Sequence, residues 1–140
     1  MPLLGMRALV VDDDQSMHQL LRDLFRFWGC ESIEVAFNGE EGVEKYRRLR
    51  PHLVLMDLDM PTMNGFDASK IIAQMDPHAA IILATGVPDS GLARKALEKG
   101  FVKITIPKPF HFDQLEMAIH EALKKAGAPA VEPARKGAVA

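Results

Sequence analysis

Five short apolar runs, separated by amphipathic stretches, limit the fold more than any other feature of this sequence. They are "RALVV" (7–11), "SIEVA" (32–36), "LVLM" (53–56), "AIILAT" (80–85) and "KITI" (103–106). All are rich in Val, Ile and Leu, and runs of this length without strict polar alternation suit strands buried on both faces. The stretches between them read as helices. Met17, Leu20, Leu21, Leu24 and Trp28 fall at helical spacing, with Asp14 or Ser16 available as the cap. Val43 and Tyr46 mark a second helix after Asn38 and Gly39. Phe66, Ser69, Ile71, Ile72 and Met75 mark a third, opened after Asn64 and Gly65 and ended before Pro77. Leu92, Ala93, Ala96 and Leu97 give a fourth, closed by Gly100. Leu115, Ala118, Ile119, Ala122 and Leu123 give a fifth, closed near Gly127. Strands alternating with helices in this way predict an α/β fold, a doubly wound parallel sheet with helices on both faces.

Charge and cysteine content narrow the partners. Seventeen basic residues against 19 acidic ones leave a formal charge of −2, which offers no basic footprint for nucleic acid and no attraction to anionic membranes. The single cysteine, Cys30, has no internal partner for a disulfide and reads as a small core residue. No leader of basic then apolar residues opens the chain, and no run approaches the roughly 18 apolar residues of a membrane helix. A cytoplasmic location is the expectation. Residues 1–6 read as an N-terminal extension, 7–125 as the folded domain, and the Ala-, Pro- and Gly-rich 126–140 as a disordered tail.

In an open parallel sheet, ligands bind beyond the carboxyl ends of the strands. The polar residues that follow each run are therefore the informative ones. Asp12 and Asp13 follow the first, Asp57 the third, with Asp59 two residues on. Thr85 ends the fourth, and Lys108 follows the fifth between two prolines. Asp12, Asp13 and Asp14 stand side by side, where like charges repel and raise one another's pKa. Either they cap a helix and face water, or a cation belongs among them. Asp14 is assigned to the cap, since helix N-termini favour acids. A hard divalent cation such as Mg²⁺ takes oxygen ligands, and aspartates facing a hydroxyl and an ammonium suit metal-assisted phosphoryl transfer onto a carboxylate. The histidines at 18, 52, 78, 111 and 120 show no pair at ligand spacing and read as surface or packing residues.

"VVDDD", "LVLMDLDMPTMNGFD", "IILAT" and "PKPF", in this order and spacing, resemble the receiver domains of two-component response regulators, in particular the chemotaxis-regulator type made of one domain. The resemblance runs from about residue 7 to 125. It implies the flavodoxin-like fold with strand order 2-1-3-4-5. It also implies that Asp57 accepts a phosphoryl group, with Asp12, Asp13, Asp57 and the main-chain carbonyl of Asp59 holding Mg²⁺. Thr85 corresponds to the family's switch hydroxyl and Lys108 to the lysine that pairs with the phosphoryl group. Pro61 and Gly65 match the turn after the phosphorylation site, and the Lys108–Pro109 bond is expected to be cis.

Two departures from the family pattern concern the signal rather than the chemistry. Thr105 stands three residues before Lys108, where the family usually has Tyr or Phe, and the stretch from Gly100 to Lys108 is one residue longer than usual. The expectation is therefore a stand-alone receiver, phosphorylated by a histidine kinase or histidine phosphotransfer protein. It would act on an unknown downstream protein or in a phosphorelay, as a monomer or weak dimer. Such a protein is no enzyme, although it assists its own phosphorylation and dephosphorylation. One alternative is a pseudo-receiver that binds partners without phosphorylation; it usually lacks an acidic residue or the lysine, and both are present. A second is a haloacid dehalogenase-type phosphatase, suggested by "DLDMPT" (57–62). It places its motif on the first strand and has Thr or Val where Pro61 stands. A dinucleotide-binding domain is excluded, because no Gly-x-Gly-x-x-Gly follows the first strand.

Overall fold

The apolar runs become strands at the expected places. In the computed structural model, which describes residues 3–86 and 91–127, they form β1 (Arg7–Val11), β2 (Ser32–Ala36), β3 (Leu53–Asp57), β4 (Ile81–Thr85) and β5 (Ile104–Pro107). The helices between and after them are α1 (Gln15–Phe27), α2 (Gly39–Leu49), α3 (Gly65–Met75), α4 (Gly91–Glu98) and α5 (Phe112–Lys125). All strand pairs are parallel, in the order β2-β1-β3-β4-β5. The flavodoxin-like doubly wound sheet is therefore present as expected.

Alternation of side chains along each strand divides the core in two. Ala8, Val10, Leu55, Ile82, Ala84 and Ile106 pack with α1 and α5. Leu9, Val11, Val54, Met56, Ile81 and Leu83 pack with α2, α3 and α4. β3 and β4 are buried throughout, which is why their runs carry no polar alternation, whereas the edge strands β2 and β5 are partly exposed. Pro107 on β5, and Lys45 donating to the Val35 carbonyl at 2.6 Å beside β2, blunt the two edges. Leu3 and Met6 are buried in the α1–α5 core, so close packing begins ahead of β1. Of the tail expected to be disordered, residues 128–140 lie outside the described residues, and Ala126 is buried.

Helix starts follow side-chain oxygens that satisfy otherwise orphaned backbone N–H groups. Asp14 accepts from the Ser16 N–H at 2.9 Å, Asn38 from Glu41 at 2.8 Å and Asn64 from Asp67 at 2.9 Å. The cap of α1 is thus Asp14. The buried face of that helix differs from the periodicity reading. His18, Leu21 and Phe25 are buried, continued by Trp28 just beyond the last turn, while Leu20 is 45% exposed. A histidine in the buried stripe conceals it from any count of apolar residues. In α4 the alanines 93 and 96 are buried, and Leu92 and Leu97 flank them half-exposed.

Sheet register carries the chain ends to one place. Val11 lies beside Met56, Asp57 beside Ala84, and Thr85 beside Pro107. The next residues after β1 and β5 are Asp12 and Lys108. Asp12, Asp57, Thr85 and Lys108 therefore meet at one edge through backbone pairing alone.

Candidate functional site

The site lies at the carboxyl end of the sheet and is built around Lys108. Its Nζ is 3.1 Å from Asp12 Oδ2 and 3.4 Å from Asp57 Oδ1. Asp12 and Asp57 are 5% and 4% exposed, and Asp13 beside them is exposed. A carboxylate oxygen from each of Asp12, Asp13 and Asp57 lies within 4.8 Å of the others. Among the described residues this is the one group of three or more acidic, histidine or cysteine side chains able to share a metal ion.

Two carboxylates therefore share one ammonium. Burial disfavours the charged form of Asp57, and the nearby Asp12 charge adds to it, so its pKa rises from 3.8 to about 6 despite the opposing pull of Lys108. Burial pulls Lys108 down, but Asp12 and then Asp57 outweigh it and hold the ammonium above its ordinary value. Lys108 is closer to Asp12, which leaves Asp57 the less compensated of the pair. An all-oxygen donor set short of positive charge fits a hard divalent cation such as Mg²⁺.

The surrounding backbone fixes these groups. Asp12 Oδ1 accepts from the Asp14 N–H at 2.9 Å, and Asp57 Oδ1 from the Asp59 N–H at 3.3 Å. Asp59 is exposed two residues past β3. Thr85 is 2% exposed at the end of β4, and its carbonyl accepts from the Lys108 N–H at 2.8 Å. The Lys108–Pro109 bond is cis, as expected. Gly65 opens α3 directly against the site, where its N–H bonds to the Leu58 carbonyl at 2.9 Å. A Cβ on Gly65 would stand 2.3 Å from the Asp57 carbonyl oxygen and 2.8 Å from Leu58 Cα. Only glycine allows so close an approach.

Of the residues singled out from the sequence, Asp12, Asp13, Asp57 and Lys108 form the cluster itself. Thr85 and Asp59 border it through the backbone bonds described. Asp14 stands outside it as a helix cap, as expected. Thr105 lies partly buried on β5 beside Leu83. Phe101, four residues before Thr105, meets Phe66 of α3 edge-on with centroids 5.6 Å apart. His18 is the neighbour of the site that the sequence reading left among packing residues. It is 4% exposed, with Nε2 2.6 Å from the Asp12 carbonyl oxygen. Its spacing from Leu21 and Phe25, at i+3 and i+7, was the available signal.

Comparison with known proteins agrees with this geometry. Residues 8–120 match the family model described as the response regulator receiver domain. The chain is 39% identical over 121 residues to the chemotaxis protein CheY of Thermotoga maritima, covering 86% of this chain and all of that protein. Its fold is similar to a CheY-like receiver domain from Methanospirillum hungatei, with a TM-score of 0.80 and 25% identity over 87% of this chain and 96% of the other. It is also similar to a chain in the CheX–CheY–BeF3–Mg complex of Borrelia burgdorferi, with a TM-score of 0.77 and 28% identity over 83% and 87% of the two chains. No helix among the described residues is long and apolar enough to cross a membrane. With sheet order, acidic cluster, lysine and family match all in agreement, the chain belongs to the response regulator receiver domain family.

Proposed function

We propose that Asp57 accepts a phosphoryl group from a histidine kinase or histidine phosphotransfer protein, and that the protein signals through changed protein binding or onward phosphoryl transfer. The observation that carries this reading is the placement of Lys108 between Asp12 and Asp57, at 3.1 and 3.4 Å, beside the exposed carboxylate of Asp13. At neutral pH a carboxyl with a pKa of about 6 is largely ionised and able to act as nucleophile. Oδ1 of Asp57 is held by the Asp59 N–H and Lys108, so attack falls to Oδ2. That oxygen forms the new bond to phosphorus. The P–N bond to the donor imidazole breaks, and the imidazole leaves with the electron pair and takes up a proton.

Asp12, Asp13, Asp57 and the main-chain carbonyl of Asp59 would hold Mg²⁺. When bound, the ion would neutralise the carboxylates and the charge on the transferring phosphoryl oxygens. The Mg and BeF3 named for the Borrelia complex support this choice of ion. Lys108 is positioned to exchange its contact with Asp57 Oδ1 for one with a phosphoryl oxygen. Thr85, at the end of the neighbouring strand, would bring its hydroxyl to the same group. Incubation with a small-molecule phosphodonor and Mg²⁺ should add one base-labile phosphoryl group, and Asp57→Asn should abolish it. Undiminished labelling of Asp57→Asn would overturn the assignment.

A further inference from the structure

We propose that His18 is a positioning residue for the acidic pair, holding the peptide unit between Asp12 and Asp13 through a hydrogen bond to the Asp12 carbonyl. The inference rests on the reading of this pair as part of the Mg²⁺ and phosphoryl site. A carbonyl oxygen can only accept, so at 2.6 Å His18 Nε2 must carry the proton and donate. The other nitrogen, Nδ1, is buried with no hydrogen-bond partner. The ring meets Phe37, just past the end of β2, in a T-shaped contact with centroids 4.7 Å apart and planes at 66°. The His18 ring is therefore clamped between the ends of β1 and β2, and the bond to Asp12 is the ring's one hydrogen bond among the described residues.

The importance of that contact follows from what else holds Asp12. Its N–H donates to the Ala36 carbonyl at 3.0 Å, Oδ1 accepts from the Asp14 N–H at 2.9 Å, and Oδ2 meets Lys108 at 3.1 Å. The main-chain carbonyl is fixed by His18 alone among the described side chains. That carbonyl belongs to the planar peptide unit joining Asp12 to Asp13. Fixing its orientation fixes the direction in which the chain delivers the exposed Asp13 carboxylate relative to the buried Asp12 one. A purely space-filling residue would do better as leucine, because a buried ring nitrogen without a partner is costly. Histidine at this position is explained by its donor.

The test uses the full chain as wild type, His18→Leu and His18→Gln, with Mg²⁺ affinity measured by calorimetry and melting temperature measured in EDTA. Glutamine keeps an N–H at a similar reach, whereas leucine keeps only the packing. His18→Leu should bind Mg²⁺ about tenfold more weakly, the lower end of the usual effect of removing a group that orients a metal ligand. It should melt slightly below wild type, because the buried Asp12 carbonyl loses its donor, and His18→Gln should regain most of the affinity. Wild-type affinity in His18→Leu, or no recovery in His18→Gln, would overturn the proposal. If His18→Leu fails to fold, nitrogen-15 spectra of the wild-type ring decide. The proton on Nε2 supports the proposal and the proton on Nδ1 refutes it. Phosphodonor labelling of wild type separates the two readings. A wild type that takes no label while His18→Leu still loses Mg²⁺ affinity would refute the phosphoacceptor role and leave the positioning role standing.

Discussion

Replacing Asp57 by Asn should stabilise the metal-free protein, and the gain should depend on pH in a defined direction. Asp57 is 4% exposed, and its carboxyl titrates near 6 in the fold against an ordinary value of 3.8. The raised value means that the fold prefers the neutral form. Its contribution to stability is fully present below the unfolded pKa and is lost as pH rises through the folded one. The rise from 3.8 to about 6 corresponds to about 3 kcal/mol. Water reaches the cluster where Asp13 is exposed, and screening reduces the figure to about 1–2 kcal/mol. Asparagine cannot ionise and escapes this loss. Thermal melts in EDTA should therefore show Asp57→Asn and wild type drawing apart between about pH 4 and pH 7. For a domain of this size the gap should reach roughly 3–8 °C in favour of the variant. Added Mg²⁺ should close the gap by stabilising the folded wild type through mass action. Parallel melting curves across that pH range, or a gap that opens toward acid, would refute the account of Asp57 as a buried, under-compensated carboxylate.

Three further outcomes follow from the same geometry. Lys108→Arg should still take up phosphoryl groups on Asp57 but bind any phosphorylation-dependent partner poorly, because a planar guanidinium does not replace a compact ammonium between two carboxylates. Undiminished partner binding by phosphorylated Lys108→Arg would show the lysine to be dispensable to the switch. Gly65→Ala should cost about 3 kcal/mol in urea denaturation, since its Cβ would meet backbone atoms at 2.3 and 2.8 Å that have little freedom to yield. A loss below about 0.5 kcal/mol would mean that this turn is looser than its contacts indicate. Thr105 has less apolar area to bury than an aromatic ring and biases two states less. A phosphoryl mimic should therefore shift the amide resonances around Thr85 and Asp59 more than those around Thr105 and α4, and equal shifts would contradict this.

The sheet and most of the site were legible because each depends on local chemistry that backbone pairing then assembles. The buried runs identify the strands, Asn38 and Asn64 mark helix starts, and strand ends in a parallel sheet share one edge. Asp12, Asp57, Thr85 and Lys108 needed no tertiary detail beyond that edge. The α1 face and the role of His18 depend on neighbours instead. Histidine carries both a ring that packs, here on Phe37, and an N–H that must find an acceptor. Sequence spacing can place it on the buried face of the helix, but only the ends of β1 and β2 determine which acceptor its N–H meets. Likewise, the burial of Leu3 and Met6 depends on the α1–α5 core they meet. The pull on Asp57 depends on how Lys108 divides its distance between two carboxylates, which no linear motif records.

Asp57, rather than its acidic neighbours, is the residue proposed to receive the phosphoryl group. Reducing the phosphorylated protein with borohydride converts an aspartyl phosphate to homoserine, and fragment mass spectrometry then locates the modified residue. The expected result is homoserine at position 57, formed only when phosphodonor and Mg²⁺ were both present. Homoserine at position 12, 13 or 59 instead, or none anywhere after treatment with donor and Mg²⁺, would contradict the account.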